Sequence, residues 1–497
     1  MNTPIQTRRI AALVAAAFLV LTAGPAAAKA PRYPELAPGE AVNGIIRPDR
    51  DRGRYRTYVL DVPPTAMGIR ITLSSAPADL DLYLRHGAEM EDYGQADFYA
   101  ETDMWNEELV VYRPYEAWFP SGRYYLDVAY QWSELPRSGG EVLDEVPYTL
   151  EYAVFDAAET AIALRPDAPV DTVLDRDGGY LAHFTLEVPR GTEAFRIDVL
   201  DTPGDVDLFL SREDPAPERD GYLVAAETYL GRESIRVDAS RGRVSPGTYH
   251  LTVLEAMEGE YSVPLRLVAT LGSQAPEAAP RPPRLPNPPP GPDTVRLATV
   301  QLVSEAGFGS GCMVSTDGLV LTNHHVVSLE DGTVVPRVYV AVAADPYEAP
   351  VEHFAAEVIR TRPDDDLALL RIIGDRWERP LPAGYRFPAW RLGDPAMLNP
   401  GDPLLLMGYP WMGSGLSRSY YTLTRGILSG GERTVRGLIY KTDAVISGGS
   451  SGGAVSDGAW SLLGLPTFVV SDEAAQLTYF VPVDRIPEDW RRLMRYE

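Results

Sequence analysis

The sequence predicts an all-β chain: two antiparallel, jelly-roll-like β-sandwiches in tandem, then a closed or paired β-barrel region. Three observations carry this. Apolar and polar residues alternate at period two in short segments parted by Gly/Pro turns, the pattern of half-buried strands. That pattern is duplicated: Y-R-T-Y-V-L-D-V-P-P, I-R-I-T-L and A-D-L-D-L-Y-L over 55–84 return as Y-L-A-H-F-T-L-E-V-P-R, F-R-I-D-V-L and G-D-V-D-L-F-L over 180–210. A proline-dense stretch, 273–293, then divides the repeats from a third strand-rich region.

In chain order, residues 1–28 read as a cleaved export signal. Arg8-Arg9 supply the positive start, Ile10 to Leu21 the apolar core, and Ala26-Ala27-Ala28 the small-residue cleavage site. The core is twelve residues long, short of the roughly twenty that span a bilayer, and no later segment qualifies. The mature chain is therefore expected in a periplasm or outside the cell, without membrane insertion. Cys312 is the sole cysteine, so internal disulfides are excluded and apolar burial must hold the domains. Cys312 itself reads as a small buried apolar residue.

The repeats set the two sandwiches at 31–157 and 158–272, each closed by a matching strand, S-G-R-Y-Y-L-D-V from Ser121 and P-G-T-Y-H-L-T-V from Pro246. Residues 31–272 hold 22 Lys/Arg against 44 Asp/Glu, and residues 294–497 hold 18 against 24. So acidic a half argues against nucleic acid and anionic membranes as partners, since both need basic patches. Asp79, Asp81, Asp205 and Asp207 alternate along their strands; calcium takes such carboxylates, but a solvated strand edge is the expectation. Residues 273–293 are expected to be an extended spacer, because proline neither pairs in a sheet nor continues a helix. In 294–497 strands dominate and only Pro487 to Tyr496 looks helical. The stretches "ADLDLYLR", "GDVDLFLS" and the G-x-Y-x-L-x-V closing strands resemble the bacterial pre-peptidase C-terminal domain, a module attached to secreted peptidases.

Residues 447–455, S-G-G-S-S-G-G-A-V, have spacer composition, yet they lie between the apolar segments Y-K-T-D-A-V-I and L-L-G-L-P-T-F-V-V. A glycine-built turn fits there better. G-x-S-G-G suits a serine nucleophile, since the oxyanion formed needs two inward N–H donors and glycine turns its amide without a Cβ clash. Ser451 has Gly449 two residues before it and Gly452-Gly453 after it, so it is the candidate nucleophile. The N–H groups of Gly449 and Ser451 form the candidate oxyanion hole. Serine needs a base, and His324-His325 stand in L-T-N-H-H-V-V at a strand end. The base needs a carboxylate, and Asp366 abuts the strand L-A-L-L-R-I, with Asp364 and Asp365 expected in solvent.

"GSGCMVSTDGLVLTNHHVV", "DDDLALLRI" and "TDAVISGGSSGGAV" resemble the three catalytic blocks of chymotrypsin-fold serine proteases, and within them the trypsin-like HtrA/Deg branch. Over about 296–486 the order His, Asp, Ser is kept, with spacings of 41 and 85 residues. The resemblance implies a double β-barrel, a base at His325 rather than His324, an orienting Asp366, the nucleophile Ser451, and no cofactor. Protein or peptide substrates follow from it. Two departures matter. Ser450 stands where digestive trypsins keep the aspartate that pairs with a freed N-terminus. Val445 stands where trypsins select Lys/Arg, so an uncharged specificity pocket is expected, shaped also by Pro466 and Thr467. Only 46 residues follow Ser451, too few for the regulatory PDZ domain of HtrA enzymes. The competing expectation is a catalytically inactive surface or periplasmic binding protein with a protease-like domain.

Overall fold

The computed structural model describes residues 33–47, 55–102, 105–130, 145–228, 230–241, 244–256, 262–286, 291–411, 419–435, 437–471 and 476–496. Residues 1–28, read from the sequence as an export signal, lie outside them.

Alternation in the sequence becomes layering in space. In the first sandwich Leu80, Leu82 and Leu84 point inward with Leu126 and Val128 from the strand beside them. One sheet runs Ala41–Ile46, Val146–Asp156, Ala66–Ser74, Glu107–Tyr112; the facing one runs Tyr55–Val62, Gly122–Tyr130, Leu80–His86, Phe98–Ala100. The second sandwich repeats this order. Val170–Leu174, Val263–Leu271, Phe195–Asp201 and Ser234–Val237 face Val224–Ala226, Val206–Arg212, Gly247–Glu255 and Leu181–Val188, with Ile162–Leu164 added in parallel.

Residues 294–497 form two six-stranded barrels. The first closes through Thr299–Ser304, Gly307–Met313, Leu319–Thr322, Leu367–Asp375, Val351–Arg362 and Val338–Val342. The second closes through Pro403–Gly408, Thr422–Thr434, Gly437–Thr442, Gln476–Pro482, Ser461–Ser471 and Ala454–Ser456. Cys312 is fully buried in the first barrel's core.

Four expectations change. The strand-rich region after the spacer opens on a second helix, Pro292–Ala298, with proline in its first turn, where the missing N–H costs nothing. At the C-terminus the helix is confined to Glu488–Arg491. The spacer is docked rather than extended into solvent. Ala279 and Leu285 are buried, and Arg379 donates to the carbonyls of Ala279 and Pro280. Proline lacks an N–H, so its segment is anchored through its acceptors. Finally Asp81, Asp205 and Asp207 are buried, not solvated. The carboxylates of Asp79, Asp81 and Glu107 converge to within 4.8 Å.

The second sandwich packs on the first barrel through a buried polar seam. Trp377 Nε1 donates to Asp198 (3.3 Å), Gly231 N to Glu352 (3.3 Å), and Arg376 to Ser234 Oγ (3.4 Å). Arg376 is 4% exposed and lies over the rings of Tyr339 and Trp377. It also answers the charges of Glu352, Glu233 and Asp198. Arg376→Ala removes this buried cation from beside Glu352 and Glu233, while Asp198 keeps Arg196. It should cost about 3–5 kcal/mol, read as a lower urea midpoint for the mature chain.

Candidate active site

His325 and Asp366 come from the first barrel. Strand Leu319–Thr322 ends in Asn323, and a 3-10 turn, His325–Val327, follows. Val327 is fully buried and Val326 nearly so, so this turn is pinned to the core while His325, 49% exposed, faces the cleft. Asp366 ends the turn Pro363–Asp365 in the left-handed conformation (φ 51°, ψ 47°), which aspartate tolerates better than most residues. The buried run Leu367–Leu370 then fixes it. Asn323 Nδ2 donates to the Asp366 carbonyl at 2.9 Å.

The Asp366 carboxylate accepts from three donors. His325 Nδ1 meets it at 2.9 and 3.0 Å, the His325 amide donates at 3.1 Å, and the Thr467 hydroxyl donates from the second barrel. Burial pushes the carboxyl up, but the hydrogen bonds and charge of His325, with Thr467, win and hold it below its ordinary value. Among the described residues it is the ring of His325, not of His324, that meets Asp366. Asp365, expected in solvent, is instead paired with Arg362 and Arg485.

Ser451 sits in the glycine turn. Gly449 and Gly452 have φ of +89° and +80°. A Cβ on Gly449 would lie 2.5 Å from Phe308 and from the Tyr409 carbonyl; one on Gly452 would lie 2.1 Å from Thr322 Oγ1. Neither position takes a side chain. The turn is riveted to the first barrel by Ser310, whose amide donates to Ser451 O (2.8 Å) and whose hydroxyl donates to Gly449 O (2.8 Å). Among the described residues the amides of Gly449 and Ser451 have no acceptor. The Ser451 hydroxyl donates to the Thr467 carbonyl at 3.3 Å rather than to His325. Thr467 thus touches both sides of the cleft, its carbonyl on Ser451 and its hydroxyl on Asp366. Sequence reasoning missed this role, because nothing but strand register marks it.

Beside Ser450 opens a cavity of about 360 Å³, lined by Val445, Ile446, Pro466, Met407, Thr422 and Thr424 among others. Val445 and Pro466 both line it. Thr467 does not; it lies in the register shift between Pro466 and Phe468, with its hydroxyl turned to Asp366.

The carboxylate that holds the imidazole and the serine on its amide-lined turn both meet Thr467, within two six-stranded barrels that match a chymotrypsin-like double barrel. Residues 309–465 match the family model described as the trypsin-like peptidase domain. The chain is 31% identical over 183 residues to a probable periplasmic serine endoprotease, DegP-like, of Pseudomonas putida, covering 36% of this chain and 33% of that protein. It is 29% identical over 201 residues to the chloroplastic Protease Do-like 1 of Arabidopsis thaliana, covering 38% and 40%. An HtrA-type protease, AlgW, with a tripeptide is 25% identical over 40% of this chain and 61% of its own, with a TM-score of 0.31. The chain spans about a third of the curated relatives' length.

Because the folded Asp366 titrates below the ordinary 3.8, its stabilising contribution is complete above that value. It is lost as pH falls through the lower folded value. Unfolding titrations from about pH 5 to pH 2 should therefore show wild type losing stability that Asp366→Asn, already lacking it, does not lose.

Proposed function

We propose that the chain is an exported serine endopeptidase with a His325-Asp366-Ser451 triad. The observation that carries this reading is the Asp366 carboxylate: it is hydrogen-bonded to His325 Nδ1 and linked through Thr467 to Ser451. With Nδ1–H held by Asp366, Nε2 is left as the base. The Ser451 hydroxyl turns from the Thr467 carbonyl to His325 Nε2, gives up its proton, and Oγ attacks the peptide carbonyl. The developing oxyanion takes the amides of Gly449 and Ser451. His325 then hands the proton to the leaving amine, and water, deprotonated in turn by His325, hydrolyses the acyl-enzyme.

The uncharged pocket at Val445 and Pro466 favours small or medium apolar side chains next to the scissile bond. The leader-like first 28 residues agree with relatives named periplasmic, which supports a periplasmic or released location. The two sandwiches serve as accessory modules, and the docked spacer holds the second of them against the barrels.

A fluorophosphonate probe should label the mature chain and fail on Ser451→Ala. A folded wild-type chain that stays unlabelled would instead belong with binding proteins that keep a protease-like domain. On a peptide substrate Asp366→Asn should lower kcat about 10⁴-fold. Gly449→Ala, by straining the turn that aims the oxyanion amides, should lower it about 10²–10³-fold, with little change in KM.

A further inference from the structure

The shared topology of the two sandwiches allows position-by-position comparison. Tyr83 lies between Tyr99 and Asp127 on its neighbouring strands, and Phe209 holds that place in the second sandwich between Ala225 and Thr252. By the same registers Asp81 corresponds to Asp207, and Tyr55 to Leu181. The loops that follow are equal in length and each contains one 3-10 turn, Tyr93–Gln95 after Asp92 and Arg219–Gly221 after Glu218. Tyr93 therefore corresponds to Arg219, and Asp92 to Glu218.

In the second sandwich this face is occupied by the first, chiefly by its loop Arg113-Pro114-Tyr115. Arg113 Nη1 pairs with Glu218 Oε1 at 3.0 Å. Tyr115 donates to Asp207 at 2.7 Å and sets its ring edge-on to Phe209, with centroids 5.6 Å apart. Arg219 covers Phe209 and donates to the Pro114 carbonyl. An apolar cluster including Met67, Phe155 and Leu254 seals the contact.

The first sandwich presents the corresponding face with related chemistry and, among the described residues, no loop across it. Tyr93 stacks on Tyr83 at 4.2 Å, where Arg219 covers Phe209, and Tyr55 meets Tyr93 edge-on at 6.2 Å. Tyr55, Tyr93 and Tyr99 are 42%, 37% and 62% exposed, and Asp92 is exposed in the place of Glu218. Residues 31–157 hold 11 arginines, no lysine, and 23 Asp/Glu, a field that draws cationic segments. One difference refines the fit. The Tyr83 hydroxyl already donates to Glu101 and lies 3.3 Å from Asp81, whereas Phe209 has none to offer Asp207. An incoming ring therefore settles on Tyr93 and Tyr55 rather than reaching the carboxylate. A second copy does not supply the ligand, because its own Arg113–Tyr115 loop is engaged within its chain.

We propose that the face around Tyr55, Asp92 and Tyr93 docks a loop or tail of another polypeptide, an arginine pairing with Asp92 and an aromatic ring two residues later stacking on Tyr93. The test uses the mature Ser451→Ala chain, so cleavage plays no part, and a labelled peptide copying Tyr112–Phe119. Saturable binding is expected below about 1 mM. Asp92→Asn, Tyr93→Ser, or glutamine for the peptide's arginine should each weaken it about tenfold, while Glu218→Gln leaves it unchanged. No saturation by that concentration, or binding indifferent to Asp92 and Tyr93 with the unfolding midpoint intact, overturns the proposal. A dimer in sedimentation that Tyr93→Ser abolishes would overturn it too, assigning the face to a second copy.

Discussion

The Asp366 carboxylate is the point on which the cleft depends. Its donors come from both barrels: the His325 ring and amide from the first, the Thr467 hydroxyl from the second. A carboxylate shielded from water needs such donors, and losing them would leave a charge in a poor solvent. The same bonds that keep it ionised also register one barrel against the other. Ser310 repeats this on the far side of the cleft, where its amide and hydroxyl tie the first barrel to Ser451 and Gly449. Orientation of the imidazole and placement of the glycine turn are thus one mechanical problem with one solution.

The accessory domains are joined to this core by contacts as well as by covalent chain. Arg376 and Trp377 leave the first barrel to meet Asp198 and Ser234, and the proline-rich stretch lies against Arg379. Buried charges at such a seam are costly unless paired. They therefore hold one geometry rather than a range of them, and an acidic module is kept beside the catalytic domain.

Duplication gave two similar surfaces with different fates. Phe209 is covered by Arg219 and by Tyr115 of the first sandwich, while Tyr93, lying over the buried Tyr83, meets no described loop. Among the described residues no loop crosses the first sandwich's copy of this face, and its aromatic content sets it apart from an ordinary charged surface.

Local chemistry made much of this legible from sequence alone. Period-two alternation announced strands, the repeat announced two sandwiches, and positive-φ demands made Gly449 and Gly452 readable as a turn around Ser451. The pair His324-His325 and Asp366 stood out because they sit at the ends of apolar strands, and the resemblance to serine-protease blocks singled out His325. What composition and spacing could not reach were relations between segments remote along the chain. The burial of Asp81 and Asp207, the docking of the proline stretch, the pairing of Asp365 with Arg485, and the double contact of Thr467 all belong here. A side chain's solvent exposure and partners depend on which surfaces close over it, and that is decided only when barrels and sandwiches pack.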